Sequence, residues 1–94
     1  MSEGLPASRA ESLIEYPSAF PIKVMGTNVD GFTDAIVAIA MQFDETFDAA
    51  LVQSRPSKAG NYLGLTITVT ATSRERLDDL YRSLSSHPMV RYVL

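Results

Sequence analysis

The stretch from Tyr62 to Thr72 constrains the fold more than any other. Leu63, Leu65, Ile67, Val69 and Ala71 alternate without a break against Tyr62, Gly64, Thr66, Thr68 and Thr70. A period of two is what a pleated strand imposes, with one side to the core and the other to solvent. Such a strand is not stable alone; its apolar side must be covered by a second layer. A candidate cover precedes it. Phe32, Ile36, Ile39, Ala40 and Phe43 recur at spacings of three and four, one stripe of a helix predicted from Val29 to about Asp44. Thr27 or Asn28 is the expected cap, and Asp30 suits the first turn. Gly31, in that turn, weakens the helix by up to about 1 kcal/mol relative to alanine.

The remaining elements follow from the same two periods. Phe20 to Gly26 is a strand, with Phe20, Ile22 and Val24 inward and Pro21, Lys23 and Met25 outward. Asp48 to Arg55 is a weaker strand, with Ala50 and Val52 inward and Leu51, Gln53 and Arg55 opposite. The cluster Pro56-Ser57-Lys58-Ala59-Gly60-Asn61 then forms a hairpin connection. Thr72 and Glu75 fit a capping box that opens a helix from Ser73 to about Ser86, with Leu77, Leu80, Tyr81 and Leu84 as its stripe. Pro88 stops it. Met89 to Leu94 is a last strand, with Val90, Tyr92 and Leu94 in phase and Arg91 outward. Strand, helix, strand, strand, helix, strand is the ferredoxin-like α+β arrangement, a four-stranded antiparallel sheet with two helices on one face. The first and third strands are expected at the centre, parallel to each other, and the second and fourth at the edges. Residues 1–14 read as a flexible tail and residues 15–94 as a single domain, with Met1 to about Arg9 dispensable for stability.

Composition removes several functions. The chain has 94 residues, 46% hydrophobic and 20% charged, which suits one small globular domain. It lacks cysteine, which excludes disulfides, a thiolate nucleophile and sulfur-ligated zinc. The single histidine, His87, sits before Pro88 at a helix end and reads as a surface residue. No Gly-x-Ser-x-Gly elbow is present. Asp78 and Asp79 are adjacent in a helix and diverge by about 100°. Asp44, Glu45 and Asp48 lack calcium-loop spacing and read as solvated charge. No catalytic residue, metal site or cofactor is expected, so a small regulatory or adaptor domain is preferred over an enzyme. The longest apolar run, Ala35 to Met41, has seven residues, against the ~18 of a membrane span. Without a basic n-region and an apolar core to follow it, no secretory signal is expected, and the chain reads as cytoplasmic.

Three stretches together carry a resemblance. They are Tyr16-Pro17-Ser18-Ala19-Phe20-Pro21 leading into Lys23-Val24-Met25-Gly26, then Pro56 through Tyr62, then Val90-Arg91-Tyr92-Val93-Leu94. Their order and spacing resemble the YbeD-like family of small bacterial proteins, over about Glu15 to Leu94. Lys58-Ala59, Gly64 and Tyr92 depart from the residues common in that family. The resemblance implies a ferredoxin-like fold similar to ACT regulatory domains, and no established biochemical activity.

Two sites are candidates for binding. The ACT likeness implies that Gly26, Thr27 and Asn28, between the first strand and first helix, could take a small amino acid. A glycine admits close approach and a helix N-terminus offers free N–H groups, but Asp30 and Asp34 would oppose an incoming carboxylate. The second candidate is the open face of the sheet. Strand parity places Lys23, Arg55, Tyr62 and Arg91 there, with Lys58 on the adjoining hairpin, and these are the expected contacts for a protein partner. The net charge of −3 and the lack of stacking aromatics on both central strands argue against nucleic acid. Lightly protected edge strands leave room for a homodimer.

Overall fold

The computed structural model describes residues 15–94; the tail expected over residues 1–14 lies outside them. Two ten-residue strands, β1 (Ser18–Thr27) and β3 (Tyr62–Ala71), pair along their whole length, from Ser18 opposite Ala71 to Thr27 opposite Tyr62. The shorter β2 (Gln53–Pro56) flanks β3, and β4 (Val90–Val93) flanks β1, giving the order β2-β3-β1-β4. Helices α1 (Phe32–Phe43) and α2 (Arg74–Ser85) complete a ferredoxin-like α+β fold.

The core forms where the inward parity of the strands meets the two helical stripes. Ile22 and Val24 from β1, and Leu65, Ile67 and Val69 from β3, are buried against Phe32, Ile36 and Ala40 of α1 and Leu80 and Leu84 of α2. Each such fully buried aliphatic side chain stabilises the fold by about 1.5–3 kcal/mol. All of this burial lies on one side of the sheet. Lys23 and Thr68, on the alternate parity, are exposed.

Several expectations are corrected. The central strands run antiparallel, not parallel, because one helical crossover brings β2 back parallel to β1 and the hairpin then reverses β3. Helix α1 starts at Phe32 rather than Val29. Its cap is Gly31, at φ 89°, and neither Thr27 nor Asn28 caps it. Gly31 supplies a left-handed turn that a side chain would strain, so it starts the helix instead of weakening it. Asp48 to Leu51 is not strand: Asp48 accepts from the Ala50 amide at 2.9 Å and starts a 3₁₀ turn over Ala49–Leu51, leaving Ala50 exposed. The cap of α2 is Ser73, not Thr72; its hydroxyl accepts from the Arg76 amide at 3.1 Å. In β4, Val93 lies opposite Val24 and Tyr92 opposite Met25, but Val90 lies opposite Gly26. Arg91 is the extra residue of a bulge, which reverses the phase. Val90 and Val93 pack on the core, while Tyr92 and Leu94 face out, 50% and 68% exposed.

Asp44 is also placed differently from its expected solvated position. It is buried at the end of α1. One carboxylate oxygen accepts from the Thr46 amide at 2.9 Å and the Thr46 hydroxyl at 2.6 Å, and the other accepts from the Thr70 amide at 2.8 Å. Because β2 covers only Leu63 to Thr66 of β3, the Thr70 amide has no strand partner on that edge, and Asp44 stands in for one. Burial alone would raise the Asp44 pKa. The bonds from the Thr46 hydroxyl and the Thr70 and Thr46 amides outweigh it and hold the carboxyl below its ordinary 3.8. Arg76 closes the same end of α1 from the other helix. Its guanidinium donates to the carbonyls of Gln42 at 3.2 Å and Phe43 at 3.4 Å and lies 4.7 Å from the Phe43 ring centroid.

Gly26 fills a packing role. A Cβ at this position would lie 2.4 Å from the Phe32 ring and 2.5 Å from the Met89 carbonyl oxygen. The aromatic at the start of α1 and the chain entering β4 both use the missing side chain.

Two outcomes are expected. Gly26→Ala should cost about 1–3 kcal/mol in urea unfolding, as overpacking does, whereas Lys23→Ala on the exposed face should stay within about 0.5 kcal/mol. Asp44→Asn should cost about 1–3 kcal/mol near neutral pH by breaking a buried bonded group. A carboxyl whose folded pKa is depressed stabilises above its unfolded value and loses that contribution as pH falls through the folded one. The gap between wild type and Asp44→Asn should therefore narrow below pH 3.8; a gap that stays constant down to acid would mean that the charge of Asp44 plays no part.

Candidate functional site

The register arranges the open face in transverse rows. Arg55 is opposite Gly64, Gly64 opposite Met25, and Met25 opposite Tyr92, so one row crosses all four strands. The next row runs from Gln53 through Thr66 to Lys23, and Leu94 exchanges backbone hydrogen bonds with Lys23 at 2.8 and 3.3 Å. Between them lies a groove of about 760 Å³ lined by Lys23, Met25, Arg55, Gly64, Tyr92 and Leu94, among others. Gly64 forms its floor. The Met25 side chain leans over that floor, its Cε 3.3 Å from where a Cβ would stand.

A second hollow, of about 240 Å³, adjoins the hairpin between Met25, Tyr62, Arg91 and Tyr92. The β4 bulge turns Arg91 toward β3. Its guanidinium donates to the Tyr62 hydroxyl at 3.0 Å and sits 5.2 Å from the centre of that ring. The hairpin is built by Ser57, whose hydroxyl accepts from the Tyr62 amide at 3.0 Å, and by Gly60 at φ 83°. Lys58 is exposed at its rim. Thus Lys23, Arg55, Tyr62 and Arg91 share the sheet, and Tyr92 joins them. Sequence parity had assigned Tyr92 inward, and only the bulge, invisible in the alternation, brings it out.

Charge is segregated across the sheet. The cations of α2 are engaged: Arg74 pairs with Asp78 at 3.1 Å, Arg82 with Asp79, and Arg76 with the end of α1. By contrast, Lys23, Arg55, Lys58 and Arg91 have no carboxylate within ion-pair distance among the described residues. Among the described residues, no Asp or Glu lines either hollow.

The turn at Gly26, Thr27 and Asn28 is occupied by the protein's own contacts. Phe32 and Met89 take the space over Gly26. The Thr27 amide donates to the Met89 carbonyl at 3.0 Å, and Asn28 donates from its amide to Asn61 at 3.0 Å and from its side chain to Gly60 at 2.9 Å. Asn28 thereby ties the turn to the hairpin. His87 is half-buried rather than a free surface residue, its Nδ1 accepting from the Met89 amide at 3.1 Å. Among the described residues no three His, Asp or Glu side chains converge as a metal site would require, and no helix is long and apolar enough to cross a membrane.

Comparison with known proteins gives these features a family. Residues 11–94 match the family described as "Protein of unknown function (DUF493)". A UPF0250 protein of Leptothrix cholodnii is 71% identical over 86 residues, covering 92% of this chain and 94% of the relative. A UPF0250 protein of Bordetella pertussis is 63% identical over 84 residues, covering 89% of this chain and 92% of the relative. The solution structure of protein HP0495 from H. pylori superposes with a TM-score of 0.75, covering 99% of this chain and 98% of that one at 15% identity, which speaks for the fold alone. The chain belongs to the DUF493/UPF0250 family of small, YbeD-like bacterial proteins.

Proposed function

We propose that this protein is a non-enzymatic adaptor or regulatory domain that binds a protein partner through the open face of its sheet. The observation that carries this reading is the set of cations on that face, Lys23, Arg55 and Arg91, with Lys58 at the rim, none paired with a carboxylate among the described residues. A folded chain of net charge −3 has acids to spare, yet the ion pairs among the described residues lie on α2. An exposed lysine between two core residues adds nothing to folding, and a cationic surface with apolar patches suits association. The alternative, amino-acid sensing at Gly26, Thr27 and Asn28, has less support, because Phe32 and the hairpin already fill the contacts a ligand would use. The cysteine-free sequence is in keeping with a cytoplasmic setting.

Affinity capture from the source cell, quantified by mass spectrometry, tests this. Lys23→Glu combined with Arg91→Glu should abolish capture of the specific partner while the domain stays folded, with a loss of no more than about 1 kcal/mol from the exposed Arg91–Tyr62 contact. Titrating amino acids against the backbone amides of Gly26 to Phe32 by NMR tests the alternative. Shifts confined to that turn, with undiminished capture by the double variant, would reverse the choice.

A further inference from the structure

We propose that the groove takes an extended acidic segment of a partner protein and seats one apolar side chain of that segment over Gly64, beside Met25. This rests on the binding-face reading above and adds the chemistry of the occupant.

Charge defines the first half of the occupant. Lys23 and Arg55 border the groove and Arg91 the adjoining hollow, and among the described residues no Asp or Glu lines either. The acids of the described chain lie on the helices, the loops and the N-terminal approach to β1. A carboxylate-bearing segment meets three cations there. Arg91 is held in place by the Tyr62 ring and hydroxyl, so less of its rotamer freedom is lost on binding.

The second half comes from the row Arg55, Gly64, Met25, Tyr92. Three of its four positions carry long side chains, and the one that does not leaves a notch. The notch is walled by the Met25 thioether, adaptable in shape, and Tyr92 lines the same groove on the far side of Met25. An aliphatic side chain fits that notch, and the flanking cations fix acidic neighbours on either side of it. A nucleic acid fits less well. The Tyr62 ring is already occupied by Arg91, and central β1 presents Lys23 and Met25 where stacking aromatics would be needed.

The test uses fluorescein-labelled peptides of about seven residues, glutamate-rich with a central leucine or a central serine, read by anisotropy at about 50 mM salt. The leucine peptide should bind about tenfold more tightly than the serine peptide, as expected for one seated apolar side chain. It should shift the amides of Lys23 to Met25 and Gly64 to Thr66. Gly64→Leu fills the notch without changing charge, and only the flexible Met25 tip need move. It should weaken the leucine peptide about tenfold and leave the serine peptide unchanged. Met25→Ser, which removes the apolar wall of the notch, gives the same reading should Gly64→Leu not fold. Lys23→Gln with Arg55→Gln should weaken both peptides, and raising the salt should do likewise. Equal binding of the two peptides overturns the apolar seat. An oligouridylate that binds more tightly than either peptide overturns the choice of a protein segment. Absence of peptide binding, with partner capture still abolished by Lys23→Glu and Arg91→Glu, overturns the acidic-segment inference and leaves the binding face standing.

Discussion

With Ile22 opposite Ile67, the ten-residue register of β1 on β3 also sets Val24 beside Leu65 and Phe20 beside Val69. That places one row of aliphatic side chains under both helices. Because strand parity is strict, the same register sets Lys23 beside Thr66 and Met25 beside Gly64 on the other side. A slip of one residue would turn the core outward and bury Lys23, at a cost of several kcal/mol that nothing nearby offsets. Core and exposed face are thus one decision, taken by the central pair of strands.

The shorter outer strands leave work for side chains. β2 ends before it can cover the far half of β3, so the Thr70 amide would be left without a partner at the edge. Asp44 reaches it from the end of α1, and its burial is compensated by the two further bonds from Thr46. On the same end of α1, no basic residue lies in the last turn. Arg76 supplies that charge from α2 and stacks on Phe43, coupling the two helices. A lean domain of this size relies on such cross-element contacts, because its core alone leaves little margin.

Helix α2 pairs four of its charges within itself, and the sheet has no such means. Asp78 and Asp79 lie within one or two turns of Arg74 and Arg82, at the i,i+4 and i,i+3 spacings that let them pair. In the sheet, neighbours are set by register, and the partners of Lys23 and Arg55 are Thr66 and Gly64. No acid occurs at those positions, so among the described residues these two cations have no ion-pair partner. The arrangement concentrates positive charge on the surface the fold has no need to cover.

Local periodicity made much of this legible. The alternation from Leu63 to Ala71 and the stripe from Phe32 to Phe43 are repeated short-range patterns, and they determined the strand, the helix, the six-element order and the sides on which Lys23, Arg55 and Tyr62 lie. Where one residue acts through a long-range contact, no such pattern exists. Gly31 looks like a helix breaker until its left-handed φ is known; Asp44 looks solvated until Thr70 is beside it. Tyr92 and Val93 alternate as any strand would, and the extra residue at Arg91 shows only when β4 is laid against β1. The sequence by itself determined which faces are apolar, because side-chain period is a property of each segment. Tertiary structure alone decided which polar groups meet, which glycine space is filled and which tyrosine faces out, because those depend on pairing between segments far apart in the chain.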